Sequence, residues 1–309
     1  MCQSYPVYNL NVNEKLQIEQ MGTKTKFWFV NIKDNIRWLF KYNRQNTGED
    51  WSEKIASEIA ELIGLPHAIV ELAKCEDQRG VLSKDFTERK TKGNLVHGNE
   101  LLRVIDSDYP MKQFWKVSQH SVNNIIDVLP RDFVRLPYGY SFPSNIDTAL
   151  DLFLGYLMFD VLIGNTDRHH ENWGVLVRKE DSELHVELSP TFDHASSLGR
   201  ELEETKRESL LVGNSYKADM STYAQRASSA IYLNTGDSKP LSTLDAFVEI
   251  SNYAPHARDI WLDKLRDIAE DSLKECISRV PRSILSDMSE EFAFQLLLFN
   301  RNRLLNLIG

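Results

Sequence analysis

Cysteine is scarce in this chain. Only three occur in 309 residues, Cys2, Cys75 and Cys276. They are odd in number and widely spaced, and no CxxC pair is present, which argues against a disulfide framework and against a thiolate zinc site. Free thiols in a reducing, cytoplasmic setting are the expectation. Long apolar runs are also missing. The richest window, Leu150 to Ile163, falls short of the roughly 18 residues of a membrane span and contains Asp151 and Asp160. The N-terminus, MCQSYPVYNLNVNEK, has no basic region leading into an apolar core, so no signal peptide is expected. Positive charge is not in excess: 36 Lys and Arg stand against 45 Asp and Glu, a net charge of −9. Direct nucleic-acid binding, which needs a basic face, is not expected. No internal repeat or low-complexity tract is found. What remains is 42% hydrophobic and 26% charged, the make-up of a globular chain long enough for one large domain or two smaller ones sharing a cleft.

The pattern of periods divides the chain. Residues 14–42 read as β structure: KLQIEQMG alternates, and KFWFVNI and IRWLFKY are aromatic and branched, joined by GTKTK and KDN. Residues 51–64 change to helical period, with Ile55, Ile59, Leu62 and Ile63 on one face and Gly64 as a C-cap. HAIVELAKC and RGVLSKDF then read as two more strands. Residues 106–145 are irregular, with prolines at 110, 130, 137 and 143. Asp147 is placed to cap a helix through Ile163 that is apolar nearly all round, as a helix in the core of a larger domain is. WGVLV and ELHVELS make a hairpin over RKEDS. Residues 200–240 look like a long, mobile surface connection. From Thr243 onward the chain is helical: Ile260, Leu265, Ile268 and Ile277 fit one amphipathic helix, and Phe292, Leu296, Leu297, Leu304 and Leu305 another.

Between the apolar helix and the hairpin lies GNTDRHHENWGV, Gly164 to Val175. Three readings compete for it. A zinc site would want an HxxxH pair on one helix face, and the adjacent His169 and His170 point in different directions on any regular backbone. A solvated polar loop is the plainest reading. The third is a phosphoryl-transfer loop. Asp167 and Asn172 are five apart, the spacing at which a kinase catalytic loop places the Asp that accepts a substrate hydroxyl proton and the Asn that holds magnesium. A second carboxylate must then reach the metal from elsewhere, and Asp193 follows the hairpin, 26 residues beyond Asp167. Magnesium takes oxygen ligands, few of them from protein, which suits Asn172 and Asp193.

GNTDRHHENWGVLV followed by LSPTFDHASSLG resembles the C-terminal kinase core of the HipA family of bacterial Ser/Thr kinases. That family's pattern is roughly G-N-x-D-x-H-x-x-N, a strand pair, then apolar-Pro-x-apolar/aromatic-Asp. The Asp-Arg-His order is also similar to that of phosphatidylinositol kinases. The likeness is specific over 147–199 and weaker over 15–105. It implies an α+β, two-lobed protein-kinase-like fold: a small antiparallel β lobe with one helix over 1–105, and a larger, mainly helical lobe over 106–309. It implies Asp167 as catalytic, His169 as a buttress of the loop, Asn172 and Asp193 as magnesium ligands, and ATP as the phosphoryl donor. The sequence departs from ordinary kinases in having His194 after Asp193 in place of Phe-Gly. With about 21 residues before Gly22, it is similar to the shorter members, without the extra N-terminal subdomain of HipA toxins.

Such a fold needs an ATP-holding lysine. Lys41, at the end of the strand RWLFKYN, is placed to meet the phosphates; a solvated strand-end lysine is the alternative. Its helix partner is Glu53 or Glu58 by helical geometry, and the family's spacing of eleven residues to the helix-ending Gly64 selects Glu53. GTKTK, comprising Gly22, Thr23, Lys24, Thr25 and Lys26, would cover the phosphates, or is a plain hairpin turn with solvated lysines. Leu82 to Lys84 would meet adenine. The family implies a protein substrate, autophosphorylation and a toxin-type role with an antitoxin-like partner protein; Thr23 or Thr25 is a candidate for self-phosphorylation. A lipid or small-molecule kinase on the same core, and a catalytically silent pseudokinase, are the alternatives.

Overall fold

The computed structural model describes residues 3–11, 17–19, 25–31, 35–87, 93–113, 115–129, 132, 134–180, 182–213 and 219–308. Six strands form the N-terminal sheet: β1 (Val7–Leu10), β2 (Gln17–Glu19), β3 (Lys26–Asn31), β4 (Ile36–Tyr42), β5 (Val70–Cys75) and β6 (Gln78–Lys84). Their order is β1-β5-β6-β4-β3-β2. Alternation sets the two faces. Phe27, Phe29, Phe40, Ala73, Cys75 and Leu82 gather on one, with the rings of Phe27 and Phe40 5.2 Å apart. Lys41 follows Phe40 and so points to the opposite face, where the first helix, α1 (Glu49–Ile63), lies. The sheet is antiparallel as expected except at its edge, where β1 runs parallel to β5. A four-residue strand paired with a segment more than sixty residues away carries no local signature in the sequence.

Helix α1 starts two residues before the expected point and ends at Gly64, whose φ of 84° lets its N–H reach the carbonyls of Ala60 and Glu61. Its buried stripe is Ile55, Ala56, Ile59, Ala60 and Ile63; Leu62, expected on that face, is 39% exposed beside it.

A second sheet, in order β7-β9-β10-β8, is built from β7 (Asn94–His97), β8 (Val134–Arg135), β9 (Gly174–Glu180) and β10 (Glu183–Leu188). The expected hairpin is β9 and β10. The helices of this half are α2 (Gly98–Ile105), α3 (Val122–Val128), α4 (Ala149–Ile163), α5 (Glu204–Val212), α6 (Met220–Gln225), α7 (Thr243–Ser251), α8 (Pro255–Asp267), α9 (Glu270–Ser278) and α10 (Asp287–Leu305), of which α2 packs on β7 and β9. Every residue of α4 is buried, and α7, α8 and α10 pack directly on it. Its cap is Thr148 rather than Asp147: Thr148 Oγ1 accepts from the Asp151 N–H at 3.1 Å, and Asp151 Oδ2 accepts from the Thr148 N–H at 2.9 Å.

Two further expectations give way. The described residues of 200–240 are not one loose connection, since α5 and α6 lie among them and bury Leu210 and Ala224 against Phe292 and Leu296 of α10. The stretch holding Ile260 and Ile277 is two helices, because the backbone turns extended at Ile268 and Ala269. No helix among the described residues is long and apolar enough to cross a membrane.

Candidate active site

Lys41 Nζ donates to Glu53 Oε1 at 2.8 Å and to Asp193 Oδ1 at 3.1 Å. The three residues come from β4, α1 and the segment after β10, so the contact joins the N-terminal sheet and helix to the C-terminal half. Lys41 and Glu53 are 7% and 2% exposed. Burial pulls the lysine's pKa down, but the carboxylates of Asp193 and Glu53 outweigh it, and Lys41 stays charged well above its ordinary range. Glu58, the other helix candidate, is taken by Lys54 at 2.7 Å. Asp193 sits at φ 60°, a left-handed conformation that a non-glycine residue holds only when its surroundings fix it. Backbone strain at the residue offered as a metal ligand, with a side chain 36% exposed, fits a group aimed into a cleft.

The loop 164–173 leaves α4 at Gly164, φ 63°. Asn165 Nδ2 donates to Asp160 Oδ1 at 2.8 Å, and Asn165 Oδ1 accepts from the Asp167 N–H at 3.2 Å. The hub of the loop is Arg168, which is fully buried. Its guanidinium grips Asp160 with two bonds of 2.6 and 2.7 Å, donates to the Asn172 carbonyl at 2.7 Å and donates to Thr191 Oγ1 at 3.0 Å. One cation thus fixes α4, both ends of the Asp–Asn loop and the approach to Asp193. His170 is buried beside it, with Nδ1 2.7 Å from the Tyr109 hydroxyl. Burial first, then His169 and His97, pushes His170 down to about 4, so it is neutral.

His169 is half-buried. Its Nδ1 accepts from the Glu171 N–H at 3.1 Å, so the neutral ring carries its proton on Nε2, 3.7 Å from Asp167 Oδ1. The buried supports of the loop are therefore Arg168 and His170, neither of which the Asp–Asn spacing marks out. The available signal was the pair of acids in the apolar window 150–163, since a buried carboxylate such as Asp160 requires a cation nearby.

Asn172 Nδ2 donates to the Asp167 carbonyl at 2.7 Å, which leaves Oδ1 as the atom that could face a metal ion. With the Asp193 carboxylate this is an all-oxygen donor pair, the chemistry of a magnesium site completed by phosphate and water. Among the described residues no cluster of three or more His, Cys, Asp or Glu forms a self-sufficient metal cage. The segment after Asp193 is also latched to α1: the Gly48 N–H donates to the Arg200 carbonyl at 2.8 Å, and Ser52 Oγ donates to the Ser197 carbonyl at 2.9 Å.

Gly22, Thr23 and Lys24 lie outside the described residues. Thr25 is exposed and its carbonyl accepts from the Tyr42 N–H at 3.2 Å, while Lys26 stands opposite Lys41 in the β3–β4 ladder. Leu82 and Ser83 do not suit an adenine contact. They pair with β4 on one side and β5 on the other, so their backbone groups are committed to the sheet.

The chain is similar in fold to the proinflammatory kinase CtkA of Helicobacter pylori, with a TM-score of 0.70 and 19% identity over 98% of this chain and 99% of that one. It is also similar to HipA of Shewanella oneidensis MR-1, solved with HipB and operator DNA, with a TM-score of 0.58 and 13% identity over 97% of this chain and 67% of that one. The fold is that of a two-lobed kinase. No curated protein sequence matches significantly. The model of the HipA-like C-terminal domain matches residues 12–280, and the chain belongs to that family.

Proposed function

We propose that this protein is an ATP- and magnesium-dependent kinase that transfers the γ-phosphoryl group to a Ser or Thr hydroxyl of a protein. The observation that carries the reading is the Lys41–Glu53–Asp193 contact, made between residues 12 and 152 positions apart, together with an Asp–Asn loop held by a buried arginine. Lys41, kept charged by its two carboxylates, would neutralise phosphate oxygens as negative charge redistributes. Asp167 would orient the acceptor hydroxyl and take its proton as the oxygen bonds to phosphorus and ADP departs. Asn172 and Asp193 would hold Mg²⁺, which supplies charge neutralisation across the phosphates when bound. Residues 22–26 are the proposed phosphate-covering loop, and the lobes are taken as 1–105 and 106–309.

The family and the HipA–HipB neighbour motivate a toxin-type role with an antitoxin-like protein partner and self-phosphorylation; a cytoplasmic location accords with the sparse cysteines. The test is of the acceptor. Purified protein, labelled ATP and Mg²⁺ are incubated alone, with a generic basic protein, and with phosphoinositide vesicles, followed by phosphoamino-acid analysis. Phosphoserine or phosphothreonine supports the reading. Label confined to lipid assigns the site to a lipid kinase.

A further inference from the structure

Asp167 is bracketed. His169 stands by Oδ1, and on the other side Ser196 Oγ lies 3.5 Å from Oδ2. Ser196 is three residues past Asp193, and its carbonyl is pinned by the Thr166 N–H at 3.1 Å, so its position against Asp167 is set by backbone as well as side chain. The direction of its hydroxyl proton is set by a third residue. Arg200 Nη2 donates to Ser196 Oγ at 3.1 Å. A guanidinium has no acceptor, so the single Ser196 proton cannot face Arg200, and Asp167 Oδ2 is the carboxylate oxygen in its reach. Arg200 is held in turn by Glu49 Oε1 at 2.9 Å, and Glu49 is 2% exposed. Glu49 lies one turn before Glu53 on α1. The same helix therefore braces Lys41 on the phosphate side and, through Arg200 and Ser196, Asp167 on the acceptor side.

We propose that Ser196 and Arg200 are positioning residues for Asp167: the Ser196 hydroxyl, oriented by Arg200, fixes Oδ2 of the carboxylate, so that docking of α1 sets the acceptor geometry together with the lysine–glutamate pair. This rests on the phosphoryl-transfer reading. The contact of 3.5 Å is long, as catalytic hydrogen bonds are before substrate draws the site together.

The experiment compares steady-state phosphoryl transfer by wild type, Ser196→Ala, Ser196→Thr, Arg200→Lys and the Ser196→Ala/Arg200→Lys double variant, with thermal melts of each. Loss of one hydrogen bond to a charged group lowers kcat about tenfold in Ser196→Ala, with the KM for ATP unchanged. Ser196→Thr restores kcat, because the hydroxyl returns. Arg200→Lys lowers kcat alone but adds nothing in the Ser196→Ala background, because Arg200 acts through Ser196. Ser196→Ala with wild-type kcat overturns the inference, as do additive effects in the double variant or a loss expressed only in the KM for ATP. A wild-type protein that transfers no phosphate overturns the kinase reading and this inference with it.

Discussion

Lys41 is a buried cation whose two carboxylates belong to different parts of the chain, so removing it has two separable consequences. Lys41→Met deprives the phosphates of their point charge, and transfer falls about a hundredfold or more, the scale of losing one preorganised charge-stabilising donor. It also strands Glu53, which is 2% exposed, and breaking a buried pair in this way costs about 3–5 kcal/mol. Urea unfolding reads the second effect and a transfer assay on the folded fraction reads the first; a variant of unchanged stability would show that Glu53 does not depend on Lys41. His120 gives a pH prediction at the same scale. Trp173 Nε1 donates to its Nε2 at 3.1 Å, so the ring is neutral with its proton on Nδ1, facing the Ala230 carbonyl at 2.9 Å. Burial, then His170, lowers its pKa to about 3. The unfolded chain takes up that proton near pH 6.5 and the folded one does not. The stability held above about pH 6.5 is therefore lost progressively as pH falls toward 3. The urea midpoint at pH 5 is expected to lie below that at pH 7.5, with a smaller difference in His120→Gln. An equal difference in both proteins would remove His120 from the account.

At the scale of elements, the Asp–Asn spacing is legible in sequence because the phosphoryl transfer proposed for the loop would demand specific residues at fixed spacing, Asp167 and Asn172. Its support is less legible. Arg168 reads as one more charged residue until α4 is seen to bury Asp160 beneath it, a tertiary fact. This supports a direct prediction. Arg168→Met leaves Asp160 uncompensated and lowers stability by about 3–5 kcal/mol, and adding Asp160→Leu recovers much of that loss. The double variant remains inactive, because the Asn172 carbonyl and Thr191 have lost their donor. Denaturation midpoints of the three proteins check the first part. A double variant as unstable as the single one would mean that the ion pair is not what holds the loop. Helices α5 and α6 were invisible for a related reason. They are short and polar, and the apolar residues they bury matter only because α10 is there to receive them. The break between α8 and α9 was hidden because the apolar periodicity continues across it.

For the molecule as a whole, the elements whose buried face shows in their own residues, the strands β3–β6 and the helices α1, α4 and α10, are readable from hydrophobic period. How the halves meet was not. Lys41, Glu53 and Asp193 could be nominated from position, yet the contact that joins them, and the latch of α1 onto 196–200, depend on chain segments about 150 residues apart. Nucleotide held across this junction is expected to raise the melting temperature by mass action, and Asp193→Asn to abolish the Mg²⁺-dependent part of that rise. An equal rise in Asp193→Asn would take that residue out of the metal site. The most direct test of the central claim is transfer of labelled γ-phosphate from ATP in the presence of Mg²⁺ by wild type beside Asp167→Asn, both shown to be folded. The account predicts labelled product with wild type and none with the variant. Equal labelling by both would contradict the role of Asp167, and no labelling by the folded wild type would contradict the kinase itself.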